Sequence, residues 1–315
     1  MTQPDEHFRI WRDGRFVNWV DATIHVVSHV VHYGSSVFEG IRCYATPSGP
    51  AVFRLDDHMR RFQDSCRIYR MPMRYSAAEL GQACLDTVAE NALPHCYLRP
   101  VAMRTGEKMT VMPNETPIEV FIIPRTWGHY LGSDALTRGV DVSVSTWRRP
   151  APDTFPAMAK AGGNYLVSSL TKMEARLDDY VEGIMLDTFG FISEGSGENL
   201  FLVRDGRLYT PSISAGILHG LTRDSVIRIA RDMGVEVVEQ QLPREMLYIS
   251  DELFFTGTAA EITPIRSVDR IEVGDGKPGP LTLAIQKEYM GIATGRIQDR
   301  YGWLTHVPSA VAAGT

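Results

Sequence analysis

The chain has 315 residues, 44% hydrophobic and 22% charged, with a formal net charge of −6. That length predicts about two domains and a core large enough to frame a ligand cleft. The acidity is mild and dispersed with no Lys/Arg block, which argues against nucleic acid and for a small-molecule ligand.

The start, MTQPDEHFRIWRDG, has no apolar signal-peptide region, and no apolar run nears the roughly 20 residues of a membrane span. Cys43, Cys66, Cys84 and Cys96 form no C-x-x-C pair. Reduced thiols in a cytoplasmic protein are expected.

FRIWRDGRFV predicts a hairpin on Asp13-Gly14, and GIRCYATPSGPAVFRL a second around Pro47-Ser48-Gly49. Met59, Phe62, Cys66 and Tyr69 recur at helical spacing. SAAELGQACLDTVAENAL opens on the capping-box pair Ser76 and Glu79. CYLRPVAMR and PIEVFIIPR are strands. TWGHYLGSDALTRG lacks a period and serves as the interdomain connection, dividing 1–127 from 140–315 across 128–139. VDVSVSTWRR is a strand and YLVSSLTKMEARLDDYV a helix. GIMLDTFGFISEGSGENLFLVRDGRLYTP is a strand-rich meander turning at Asp205-Gly206. TRDSVIRIARDMG predicts a helix capped near Thr222 and ending at Gly234. The fold class is α+β, in two lobes.

Lys160 stands in an uncharged run, PDTFPAMAKAGGNYLVSSL, among Ala157, Ala159, Ala161, Gly162 and Gly163. An ammonium held out of water loses proton affinity, and the neutral amine attacks carbonyls. A solvated loop lysine is the plainer alternative. HGLTRDSV places Gly220, Leu221 and Thr222 at a predicted helix N-terminus, an anion site or an ordinary cap. No P-loop or G-x-G-x-x-G fingerprint occurs.

His25, His29 and His32 would share a helical face, as a zinc site requires, but the β-branched surround favours an extended chain that keeps them apart. Arg42 and Arg99 lie inside strands, as structural ion pairs or carboxylate binders. Tyr97 and Arg99 point the same way. Glu194 and Glu198 flank a glycine-rich turn, and spacing does not choose between them as the partner of a cationic heterocycle.

Together, SHVVHYGSSVFEGIRCY, YLRPVAMR, AKAGGNYL, ISEGSGENLF, HGLTRDSV and FFTGTAAEITPIRSV resemble the branched-chain amino-acid aminotransferases, from about Trp11 to Trp303. The resemblance implies a fold-type IV architecture like that of D-amino-acid aminotransferase: a small N-terminal α/β lobe, a large C-terminal one, and pyridoxal 5′-phosphate in the cleft between them. It implies that Lys160 carries the cofactor as a Schiff base and shuttles a proton from the substrate Cα. Glu194 would face the pyridine nitrogen and Tyr165 the ring hydroxyl. Arg61, Leu221, Thr222, Gly257 and Thr258 would hold the phosphate end.

Tyr97, Thr258 and Ala259 would receive the substrate α-carboxylate. Tyr33, Phe38, Gly40, Arg42, Arg99, Trp127 and Tyr130 would line a side-chain pocket serving both an aliphatic chain and the second carboxylate of glutamate. The implied reaction is ping-pong transfer of the amino group of leucine, isoleucine or valine to 2-oxoglutarate, through a pyridoxamine 5′-phosphate form. A homodimer or an assembly of dimers, up to a hexamer, is implied too. TGEKMTVMPNE departs from the family's glycine-richer loop at Lys108 and Thr110, which bears on substrate range. Within the fold, a transaminase of D-amino acids or (R)-amines and an aminodeoxychorismate-lyase-like enzyme are the alternatives. A purely binding protein is the third class.

Overall fold

The structure, a computed structural model, describes residues 5–113, 115–126, 128, 130–132 and 134–308. The chain falls into two compact units. One comprises Met1–Trp127, Ala159–Gly163 and Gly291–Thr315; the other comprises Gly128–Met158 and Asn164–Met290. It is therefore not divided by one cut across 128–139. The Lys160 segment and the final stretch both return to the first unit, because Ala161 bridges to Val37 and Leu304–His306 pairs with a strand near residue 50.

The first unit opens with β1 (Arg9–Arg12) and β2 (Arg15–Asn18). Their turn is the expected one: Asp13 and Gly14 take φ of 48° and 92° between the Arg12↔Arg15 pair. α1 (His29–Tyr33) is a single turn, followed by β3 (Ser36–Phe38) and the hairpin β4 (Ile41–Thr46) and β5 (Gly49–Phe53). Helices α2 (Leu55–Ile68) and α3 (Ala77–Glu90) precede β6 (Cys96–Arg104) and β7 (Ile118–Arg125). The capping box of α3 forms as predicted: Glu79 N–H donates to Ser76 Oγ, and Ser76 N–H to the Glu79 carboxylate.

The sheet order is Leu304–His306, β5, β4, β6, β7, β1, β2, with β3 also on β6. Met59, Phe62 and Cys66 of α2 and Leu80, Cys84 and Val88 of α3 share one core with Ile41, Val52, Leu98 and Ile122 of the sheet. Each large side chain so buried contributes roughly 1.5–3 kcal/mol.

The second unit contains α4 (Ala135–Arg138), β8 (Val140–Arg148), α5 (Tyr165–Leu177), β9 (Glu182–Leu186), β10 (Ile192–Gly195), β11 (Asn199–Arg204) and β12 (Arg207–Pro211). There follow α6 (Leu221–Asp232), β13 (Val237–Gln240), α7 (Met246–Ile249), β14 (Glu252–Gly257), β15 (Glu261–Val268), β16 (Ile271–Glu272) and α8 (Pro280–Ala293), whose last turn returns the chain to the first unit. The order is β10-β9-β8-β15-β14-β11-β12-β13, with β16 on β15. β8 and β9 are parallel, as are β12 and β13. Parallel neighbours need a crossover, which α5 and α6 supply. Both helices therefore start beyond the carboxyl end of a strand, where ligands of such sheets bind.

Two local expectations are corrected. The N-cap of α6 is Gly220, not Thr222, and no side chain caps it. Thr222 is instead buried inside the helix. Residues 29–33 are helical despite Val30 and Val31. His29 Nδ1 there meets Ser35 Oγ at 2.7 Å, and His32 Nε2 meets the Val26 carbonyl at 3.1 Å. Among the described residues no group of three or more His, Cys, Asp or Glu side chains is arranged to hold a metal ion.

Candidate active site

In the first unit Lys160 is fixed by its backbone from both sides. Its N–H donates to Ser65 Oγ at 3.0 Å, and its carbonyl accepts from Phe38 N–H at 2.9 Å. Its Nζ lies 5.2 Å from the Phe38 ring centroid. The small residues around it have a packing reason. A Cβ on Gly162 would lie 2.5 Å from Ser36 Oγ, and Ala159 and Ala161 are buried. The space they leave is taken by residues 34–38.

α2 presents His58, Arg61 and Ser65 at i, i+3 and i+7, one face of a helix. Ser65 holds Lys160. The other two meet Glu39, which is fully buried just beyond β3. Arg61 donates from Nε to Oε1 and from Nη2 to Oε2, both at 2.7 Å. His58 Nδ1 lies 2.7 Å from Oε2. Burial pushes the Glu39 carboxyl up, but Arg61 and His58 outweigh it and hold the group well below the usual range. An ionised carboxylate only accepts, so His58 carries its proton on Nδ1. Burial lowers the His58 pKa; Glu39 opposes that, and Arg61 and Lys160 reinforce it.

Tyr97 and Arg99 meet as the strand period predicts: Arg99 Nη2 donates to Tyr97 Oη at 2.8 Å. The guanidinium also lies 4.5 Å from the Phe38 ring centroid. Arg99 Nε is buried with no hydrogen-bond partner among the described residues. Arg42 pairs opposite Tyr97 across β4 and β6. Gly40 is required by Tyr97, whose Oη would lie 2.1 Å from any Cβ there. Tyr33 is exposed on α1. Trp127 lies outside the described residues.

In the second unit Glu194 lies one residue before the end of β10 and is buried. Arg149 Nη2 meets its Oε1 at 3.0 Å, while Asn199 Nδ2 and Leu218 N–H donate to Oε2 at 2.9 and 3.0 Å. Glu198 differs. It accepts from Gly197 N–H, its Oε1 has no partner, and no cation pairs with it among the described residues. Burial, then the Glu182 carboxylate, push its pKa up to about 8 against the pull of Lys172, which is committed to Glu182. The structure thus separates two carboxyls that the sequence left equivalent.

Tyr165 opens α5, and Leu221 and Thr222 open α6, whose first N–H groups have no intrahelical partner by construction. The close approach at Gly220 admits no side chain, since a Cβ would lie 1.9 Å from Asn199 Oδ1. Gly257 ends β14, and Thr258 and Ala259 form the half-buried turn into β15. Tyr130 is partly exposed, 5.2 Å from Lys172 Nζ by its ring centroid. Sequence reasoning missed Glu39, His58, Ser65, Arg149 and Asn199. A carboxylate inside the apolar run SSVFEGI was the available signal for Glu39.

The model of the class IV aminotransferases matches residues 36–268. The branched-chain-amino-acid aminotransferase of Salmonella typhimurium is 52% identical over 301 residues, covering 95% of this chain and 97% of that one. The chain belongs to the branched-chain-amino-acid aminotransferases of class IV. The crystal structure of the Escherichia coli branched-chain amino acid aminotransferase superposes with a TM-score of 0.94 at 51% identity, covering 96% of this chain and all of that one. That of the Thermobaculum terrenum branched-chain amino acid aminotransferase, in its PLP-bound holo form, gives 0.89 at 35% identity, over 96% and 99%. A fold-type IV transferase acting on small molecules follows, and no described helix is long and apolar enough to cross a membrane.

Proposed function

We propose that this aminotransferase uses pyridoxal 5′-phosphate to move the amino group of L-leucine, L-isoleucine or L-valine to 2-oxoglutarate, giving branched 2-oxo acids and L-glutamate in a ping-pong cycle. The observation that carries this is the 52% identity across nearly the whole of both chains. The residues present fit the group: a primary amine with a pinned backbone, a buried carboxylate held by three donors, and a helix N-terminus without side-chain capping.

When bound, the cofactor supplies an electron-accepting ring that acidifies the substrate Cα–H. Lys160 would hold it through Nζ, and the same amine would serve as general base for the substrate Cα proton and as the acid that returns one. Glu194, held by Arg149, Asn199 and the Leu218 N–H, would face the pyridine nitrogen, and Tyr165 would take the ring hydroxyl. The family's pattern assigns the phosphate to Arg61 of the first unit and to the Leu221 and Thr222 amides, Gly257 and Thr258 of the second.

Tyr97, with Thr258 and Ala259, receives the α-carboxylate. The same pattern assigns the side chain to Phe38, Gly40, Arg42, Arg99 and Tyr33 of the first unit and to Tyr130 of the second, with Trp127 the member outside the described residues. The unpartnered Arg99 Nε beside an aromatic ring supports a pocket that takes either carboxylate or alkyl. Exposed Val26, Val31, Tyr33, Met109, Val111 and Met112 support a second copy against this surface, as a homodimer or an assembly of dimers. The same reading assigns the reaction to the cytoplasm, which the four free cysteines support.

Purified protein with pyridoxal phosphate should form L-glutamate from L-leucine and 2-oxoglutarate, consume the L isomer in preference to the D, and lose the activity in Lys160→Ala. Absence of glutamate overturns the assignment.

A further inference from the structure

We propose that Glu39 is a positioning residue for phosphate recognition: it brackets Arg61 at a fixed offset from Lys160. This deepens the reading above and rests on it.

The argument starts from a carboxylate that is 0% exposed. A charge so buried is costly unless every oxygen is satisfied. Here one guanidinium edge engages both oxygens, and His58 and the Gly40 N–H, at 3.3 Å, complete the set. The pairing uses the Nε/Nη2 edge of Arg61, so the carboxylate sets the plane of the guanidinium to which the reading above assigns the phosphate.

The backbone of Glu39 is fixed as well, its N–H donating to the Pro100 carbonyl at 2.8 Å. Its neighbour Phe38 donates to the Lys160 carbonyl. The dipeptide Phe38-Glu39 therefore grips the lysine strand with one residue and the arginine with the next. α2 repeats the arrangement from the other side, with Ser65 on Lys160 and Arg61 on Glu39. The distance between the amine and the guanidinium is thus set by two rigid elements and one carboxylate. Strong ion pairing with Arg61 keeps that carboxylate charged. A bracket of this kind matters for a ligand that must reach both groups at once, and not for one that reaches the amine alone.

The test compares pyridoxal 5′-phosphate with pyridoxal, which has the same aldehyde and ring but no phosphate. Glu39→Asp keeps the charge and withdraws it by one methylene. Equilibrium dialysis of the full-length apoprotein should show pyridoxal 5′-phosphate binding weakened about tenfold or more, as expected when a charge-assisted contact loses register. Pyridoxal affinity should stay within about twofold, which also reports an intact fold. Equal losses for both ligands, or no loss for either, overturn the proposal. A wild-type protein that binds the two equally well removes the phosphate from the functional reading and the inference with it. A wild-type preference that survives Glu39→Asp removes the inference alone.

Discussion

Glu198→Gln isolates a single buried proton. The Glu198 side chain has no cation partner among the described residues, and burial with Glu182 beside it moves its pKa from 4.5 to about 8. In the unfolded chain the group ionises near its ordinary value. Between the two, the folded protein keeps a proton that the unfolded chain has released, so folding stability falls as pH rises. The slope is about 1.4 kcal/mol per pH unit, and the full loss by pH 8 is on the order of 3–5 kcal/mol. Glutamine has nearly the same shape, keeps an acceptor for Gly197 N–H, and does not titrate.

Urea denaturation of both proteins from pH 5 to pH 9 checks this. The variant should match the wild type within about 1 kcal/mol at pH 5 and exceed it by several at pH 9. Parallel curves, or a variant that gains stability at low pH, would refute the reasoning that Glu198 is a neutral acid.

Gly40→Ala places a methyl group 2.1 Å from Tyr97 Oη; Tyr97 and Arg99 must shift together, so KM for the amino acid should rise at least about tenfold with a stability loss of roughly 1–3 kcal/mol. Steady-state kinetics and a thermal melt read both. Arg149→Met removes the Arg149 guanidinium from the buried Glu194 carboxylate, and a loss of about 3–5 kcal/mol is expected in chemical denaturation. All four cysteines are buried, and burial pushes the Cys66 thiol up to about 12. Iodoacetamide at pH 8 should therefore label none of them in mass spectra until denaturant is added.

What the sequence revealed is what local chemistry decides. Asp13-Gly14 and Ser76 with Glu79 specify a turn and a cap from within a few residues, and both form. The Tyr97–Arg99 pair follows from the strand period. The Glu39–Arg61–His58 cluster was hidden because its members are brought together by sheet and helix packing, not by spacing. Arg149 reaches Glu194 in the same long-range way. Thr222 has the residue type of a cap, but the helix starts two residues earlier, at Gly220 packed against Asn199, and Thr222 lies inside it. Spacing alone did not separate Glu194 from Glu198, because burial and partners, not neighbours in sequence, set Glu198 apart.

Leu304 pairs with Phe53, and Ala161 bridges to Val37. During synthesis, a nascent chain that has left the ribosome only as far as β7 lacks both partners. β5 is the edge of the N-terminal sheet while the second unit is being made, until residues 304–306 emerge and pair with it. A fragment ending near residue 127 should therefore be a poor candidate for autonomous expression, prone to self-association along that unprotected strand.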